Sequence, residues 1–432
     1  MRRPTGRARR GAVAIVVAAV LATAGVGVVQ AHPSDRGPGV GAHWVAGWMA
    51  APSNRGDISL ENPIPSAPAD HTLRVMTTPH LSGSVARVRL TNRFGAKPIR
   101  IGGVTVSRRV RGAQVARIVP VTFGGRDSVS IAPGADVASD PVDVDVTAWR
   151  ALAVSVFLPD ATVPTVHYVG NATSFATVAG SGDHSRDTSG AAFTVPTDQV
   201  PLVTGIDVAA PTSVTGIVAV GDSITDGFMA AQYLGLTEDR SVIDTNVRYP
   251  DFLQRRLDRA GIDRPVLNAG ISGNRVTLGP AIFAYGPSLM DRVADDVIGV
   301  PGVRDVILLE GINDLGIPPG TDAATVIDGL RKVILRLHAA GLRVHLGTLL
   351  PAATSLSDGW STPAANGQRL VVNAWIRRQH LSDSVIDFES AMRDPHDPNG
   401  LNPRLSGPDL LHPNAAGYST MAAQVDLATL AS

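Results

Sequence analysis

At 432 residues, with 44% hydrophobic and 18% charged side chains, the chain is long enough for two cores and far from the composition that keeps a protein disordered. Its formal charge of zero conceals five arginines (Arg2, Arg3, Arg7, Arg9 and Arg10) ahead of the first apolar run. Without them 33 basic residues face 38 acidic ones, a balance of about −5 with none of the basic footprint that a nucleic-acid partner requires. The absence of cysteine excludes disulfides, lipidation at a cysteine and Cys-based zinc or nucleophile chemistry.

Residues 11–31, GAVAIVVAAVLATAGVGVVQA, follow the basic head and close on Val29-Gln30-Ala31, as a signal peptide does. Cleavage before His32 and a secreted, extracellular protein are expected. An uncleaved N-terminal membrane anchor is the alternative, because the run reaches the roughly 18 residues at which a spanning helix becomes possible. Residues 32–43 read as linker, and order is expected from Trp44 and Trp48, an aromatic pair assigned to packing.

From about residue 71 to 205 the chain is a series of short β-rich runs divided by Gly, Pro, Asp and Ser: HTLRVMTT, SVARVRLTN, IRIGGVTVSRRV, PVTFGG, ALAVSVFLP, TVHYVG and SFATVAG. Val85, Arg87 and Arg89 alternate with Ala86, Val88 and Leu90, the period of a half-buried strand. Runs at this spacing predict an all-β sandwich of jelly-roll type over residues 44–205.

The rhythm changes around Pro211, and residues 206–432 form the second expected domain. Strands are predicted at 213–220, 264–270, 303–311, 342–351 and 384–392. Helices are predicted at 249–261, 321–341 (with Thr321 as N-cap), 366–379 and 414–430. Alternating strands and helices of this length imply a parallel sheet covered on both faces, an α/β fold.

In such a sheet, reactive groups belong at the carboxyl ends of the strands. The first predicted strand ends in Gly221-Asp222-Ser223-Ile224-Thr225-Asp226-Gly227, which sets a serine just beyond it; alone, Gly-Asp-Ser is an ordinary turn. The second ends in Asn268-Ala-Gly270-Ile-Ser-Gly273-Asn274, where a glycine lets an N–H approach a substrate or simply serves a βα loop. The third ends in Gly311-Ile312-Asn313-Asp314, whose asparagine suits an oxyanion donor as well as a helix cap. Near the C-terminus, Asp409 and His412 stand three apart, a spacing that puts carboxylate and imidazole on the same side of one helical turn. Each segment is weak alone, but together they supply one complete set of acyl-transfer parts. His345 reads as core, and His396 with Asp394 and Asp397 reads as a turn cluster rather than a metal site.

The four blocks GDSITDG, NAGISGN, GIND and DLLH resemble those of the SGNH (GDSL-type) hydrolase family over about residues 213–430, with Ile224 where the family has Leu. The resemblance implies a flavodoxin-like three-layer α/β/α domain with Ser223 as nucleophile and Asp409 and His412 completing the triad. The Ser223 N–H, Gly273 and Asn313 would form the oxyanion hole. It implies a serine ester hydrolase of the two-domain exported kind that includes bacterial acylhydrolases and arylesterases, without a cofactor or metal. The expected partner is a small-molecule or polysaccharide-linked ester, with no stable protein partner. A lipase or an acyltransferase would use the same triad, and a carbohydrate- or surface-binding protein is the alternative outside catalysis.

Overall fold

The computed structural model describes residues 38–39, 41–56, 68–233, 237–277, 286–318, 320–356 and 359–431, so the expected signal segment lies outside the described residues. Among the described residues, no helix is long and apolar enough to cross a membrane.

The N-terminal half is strand-rich and antiparallel. One sheet runs in the order Ala42–Met49, Val203–Pro211, Gly83–Thr91, Val142–Val146. The other runs Val195–Thr197, Ser174–Ala176, His71–Thr77, Leu152–Leu158, Gly103–Arg111, Gln114–Val121. The alternation at 85–90 turns Ala86, Val88 and Leu90 into a core shared with Leu73, Val75, Val104, Val106, Val154 and Val156 of the second sheet. A third, small sheet joins Thr165–His167 to Asn54–Arg55 and Val200–Pro201.

The first strand starts at Ala42, inside the expected linker. The expected division at 205/206 falls inside the strand Val203–Pro211, which pairs with Ala42–Met49 on one side and Gly83–Thr91 on the other. The turn from one half to the other therefore lies after Pro211, where the strand ends.

Among the described residues, the C-terminal half holds five parallel strands in the order Val266–Gly270, Gly216–Gly221, Val303–Leu309, Arg343–Gly347, Ser384–Ile386. In order of sequence this is 2-1-3-4-5, the flavodoxin arrangement. Its chain direction reverses at the first strand, so right-handed crossovers put helices on opposite faces. Helix Tyr249–Arg259 packs with Ala415–Gln424, and helix Ala323–Ala339 packs with Pro363–Arg378. The strand Gly216–Gly221 is buried throughout, as the centre of a doubly covered sheet must be.

Local capping moves several predicted boundaries. Asp322, not Thr321, caps the long helix by accepting from Thr325 N, and Thr362 with Pro363 at the first position starts the next helix three residues early. The predicted strand 384–392 stops at Ile386, because Asp387 accepts from Ser390 N and opens a helix at Phe388–Met392. The predicted helix 414–430 is broken after Gln424, where Asp426 caps a second short helix.

Candidate active site

The nucleophile block is shaped by close backbone approach. A Cβ on Gly221 would come within 2.1 Å of Leu309 O on the neighbouring strand and 2.4 Å of Thr225 Oγ1, so only glycine ends this strand. Asp222 then caps the four-residue helix Ser223–Asp226, its Oδ1 accepting from Ile224 N at 2.9 Å. Ser223 is the first residue of that helix, so its own N–H has no acceptor within the helix. Ile224, in the family's leucine position, is 2% exposed and packs into the core.

Ser223 Oγ lies 2.8 Å from His412 Nε2, and His412 Nδ1 lies 2.6 Å from Asp409 Oδ2. With Nδ1–H donating to the carboxylate, Nε2 is left as the acceptor for the serine hydroxyl. The pair is not on a helical turn as the spacing suggested. Leu410 takes φ +54° and Asp409 Oδ1 accepts from both Leu411 N and His412 N, a tight turn that folds the imidazole back over its own carboxylate. Burial would raise the pKa of Asp409, but the hydrogen bonds and charge of His412 hold it below the ordinary carboxylate value. The Phe228 ring lies 4.7 Å from the imidazole, and Asp409 is fully buried.

The two other predicted donors stand on the loops after the second and third strands. Gly273 takes φ +75° in a turn closed by Asn274 N donating to Ile271 O, a backbone that L side chains avoid. Asn313 is buried and donates one amide hydrogen from Nδ2 to Asn274 O at 3.0 Å, which leaves the other free of that contact. Asp314 ties the same loops together by accepting from Val276 N and Thr277 N.

Behind the site lies a buried guanidinium. Arg292 donates to Gly221 O and Ala269 O, the ends of the first two strands, and to Asn274 Oδ1 beside Gly273. Around it burial pushes Asp222 up to about 7 and Glu310 well above the usual carboxylate range, with the Asp222 charge adding to the effect on Glu310. Arg292, Asp226 and Ser272 escaped the sequence reading. The last two lie inside quoted blocks, but only their contacts single them out. Asp226 Oδ2 accepts from both Ser272 N and Ser272 Oγ.

The remaining candidates are structural. His345 is 2% exposed and contacts Asp305 and Ser384. His396 N donates to Asp394 Oδ1 and Asn399 N to Asp397 Oδ1, local turns in each case. Among the described residues, no three His, Asp or Glu side chains are arranged to hold a metal ion.

Residues 219–419 match the model of the GDSL-like lipase/acylhydrolase family. This segment, running from the first parallel strand into the last long helix, belongs to that family, whose members act on esters. Solved structures similar to the chain include an inhibitor-bound aryl esterase of M. smegmatis. It has 16% identity and a TM-score of 0.39, over 48% of this chain and 94% of that one. A GDSL-like lipase from Bacteroides thetaiotaomicron has 20% identity and a TM-score of 0.36, over 50% and 88%. A carbohydrate acetylesterase from Sinorhizobium meliloti has 13% identity and a TM-score of 0.37, over 48% and 94%. None of the curated proteins compared with the chain matches it.

Proposed function

We propose that the protein is an exported serine ester hydrolase that works through an acyl-enzyme on Ser223. The observation that carries this reading is the unbroken relay from Asp409 through His412 to Ser223 Oγ at the carboxyl end of the first parallel strand. His412 takes the hydroxyl proton through Nε2 as Oγ attacks the ester carbonyl, and Asp409 stabilises the imidazolium that forms. The developing oxyanion is held by the N–H of Ser223, the N–H of Gly273 and the second amide hydrogen of Asn313. His412 then returns the proton to the leaving alkoxide, and water repeats the sequence to release the acid.

We read the alcohol part of the substrate as carbohydrate, and the mature chain as beginning at His32 outside the cell. N-terminal sequencing of protein recovered from the medium tests the second point. A fluorophosphonate probe should label the wild-type chain and not Ser223→Ala; no labelling of folded wild-type protein would overturn the serine mechanism and favour a binding role. Release of acetate from acetylated xylan, compared with p-nitrophenyl esters of rising chain length and with added alcohols, separates a carbohydrate esterase from a lipase and an acyltransferase.

A further inference from the structure

We propose that His167, a residue of the β half, is a positioning residue for the oxyanion hole of the other half, acting through Asp226 and Ser272. The inference rests on the esterase reading of the site.

His167 ends the short strand Thr165–His167, and its ring is 6% exposed. Its Nε2 lies 3.1 Å from Asp226 Oδ1 and 2.7 Å from Val169 O, while its Nδ1 lies 2.7 Å from Ala51 O. Every one of these partners is an acceptor. A neutral imidazole has one N–H, so only the imidazolium can donate from both nitrogens at once. The side chain therefore meets Asp226 as a cation against a buried carboxylate.

Asp226 stands three residues beyond Ser223, and its other oxygen accepts from Ser272 N at 2.9 Å and Ser272 Oγ at 2.8 Å. Ser272 directly precedes Gly273, whose N–H is the donor assigned to the oxyanion in the proposed mechanism. The residue immediately before this N–H is thus anchored, through its own N–H and hydroxyl, to a carboxylate that His167 holds in place. The β half reaches the same block twice more. Asn171 Nδ2 lies 3.4 Å from Asp226 O, and Tyr168 and Val169 pack with Phe228, whose ring lies against His412.

Burial lowers the pKa of His167, but the Asp226 charge and hydrogen bond and the two carbonyls outweigh it, so the imidazolium persists above the ordinary histidine range. The charged groups around the pair leave that balance intact. Arg248, lining the same cleft, is turned to Asp251, which His80 also faces; Asp198, next to the paired strand, meets Arg240; Arg55 lies on the other paired strand. From the nucleophile side, Asp222 and Tyr418 feel the Asp226 charge.

The test uses the full-length chain with p-nitrophenyl acetate. His167→Gln and Ser272→Ala should each lower kcat about 10- to 100-fold, the scale of a displaced catalytic donor, with KM changed by no more than about twofold. The double variant should be no slower than the worse single one, because both act through one contact. The wild type should show an alkaline fall in kcat/KM that His167→Gln lacks, and hydrogen exchange of the peptide containing 271–274 should accelerate in His167→Gln. If His167→Gln fails to fold, Ser272→Ala decides: unchanged kcat overturns the proposal. So does His167→Gln with wild-type kcat and exchange, or a double variant in which the two losses multiply. A wild type that turned over no ester would sink the esterase reading alone, since exchange at 271–274 would still report whether His167 holds this turn.

Discussion

Both halves of the molecule bury arginine away from water, and two of these residues, Arg74 and Arg292, are put to different use. Arg74, in the β half, is fully buried under the Phe193 ring and donates to neutral oxygens only: Ser155 Oγ and the carbonyls of Ala113, His184 and Asp187. Burial draws its pKa down to about 10, with the Asp187 charge acting against the shift. Arg292, in the α/β half, also grips carbonyls, but Asp296 lies 3.4 Å away and Glu310 3.8 Å away. The first arginine stitches loops together. The second holds two strand ends and the oxyanion turn while it balances carboxyl groups crowded behind the nucleophile. The comparison teaches that this site rests on a buried cation and carboxyl groups whose protonation states depend on one another, a dependence absent around Arg74.

The sharpest separation of the two regions comes from Ser223→Ala, which should cut kcat/KM for a p-nitrophenyl ester by about 10⁶-fold while the melting temperature barely moves. Asn313→Ala should cost on the order of 10²- to 10³-fold in kcat, the loss of one oxyanion donor. Among the arginines, Arg292→Met takes the cation from Glu310 and one of the two from Asp296, whose other oxygen stays with Arg93, and should destabilise by about 3–5 kcal/mol in urea unfolding, with kcat falling as well. Arg74→Met strands only neutral acceptors, so a smaller loss of about 1–3 kcal/mol is expected, with kcat per folded molecule unchanged. Equal losses from both, or a kcat effect of Arg74→Met, would break the comparison.

A subtler test concerns the opposite end of the parallel sheet. Burial would raise the pKa of Asp305, but hydrogen bonds from His345, Arg343 and Arg264 prevail and hold it at about 2. A lowered carboxylate pKa contributes stability above its ordinary value near 4 and loses it as the pH falls through about 2. Asp305→Asn should therefore cost about 2 kcal/mol at pH 6, and the gap to wild type should close towards pH 2.

Much of this architecture was legible because it depends on local pattern. The alternation at 85–90 and the all-apolar run ending at Gly221 each report the burial of their own strand, and the strand order puts the three quoted loops together. Position 387 was misread because a single carboxylate accepting from Ser390 N turns a strand into a helix, and apolar periodicity carries no trace of that bond. The spacing of Asp409 and His412 led to the right neighbours through the wrong geometry, since the left-handed Leu410 does what a helical turn was expected to do. His167 left no signal at all. Its partner lies 59 residues away across the boundary between the halves, and only the folded chain brings them into contact.

The strand Ala42–Met49 and the loop after it contribute Ala46, Met49 and Ala51 to the apolar core of the α/β half, and Ala46 N donates to Pro301 O. Within this chain, the hydrolase segment therefore completes its core with residues of the other half. A recombination that passed it to another partner would strip three core residues from it and expose their cavity to water. Met49→Ala is therefore expected to lower the stability of the α/β half rather than of the strands around it.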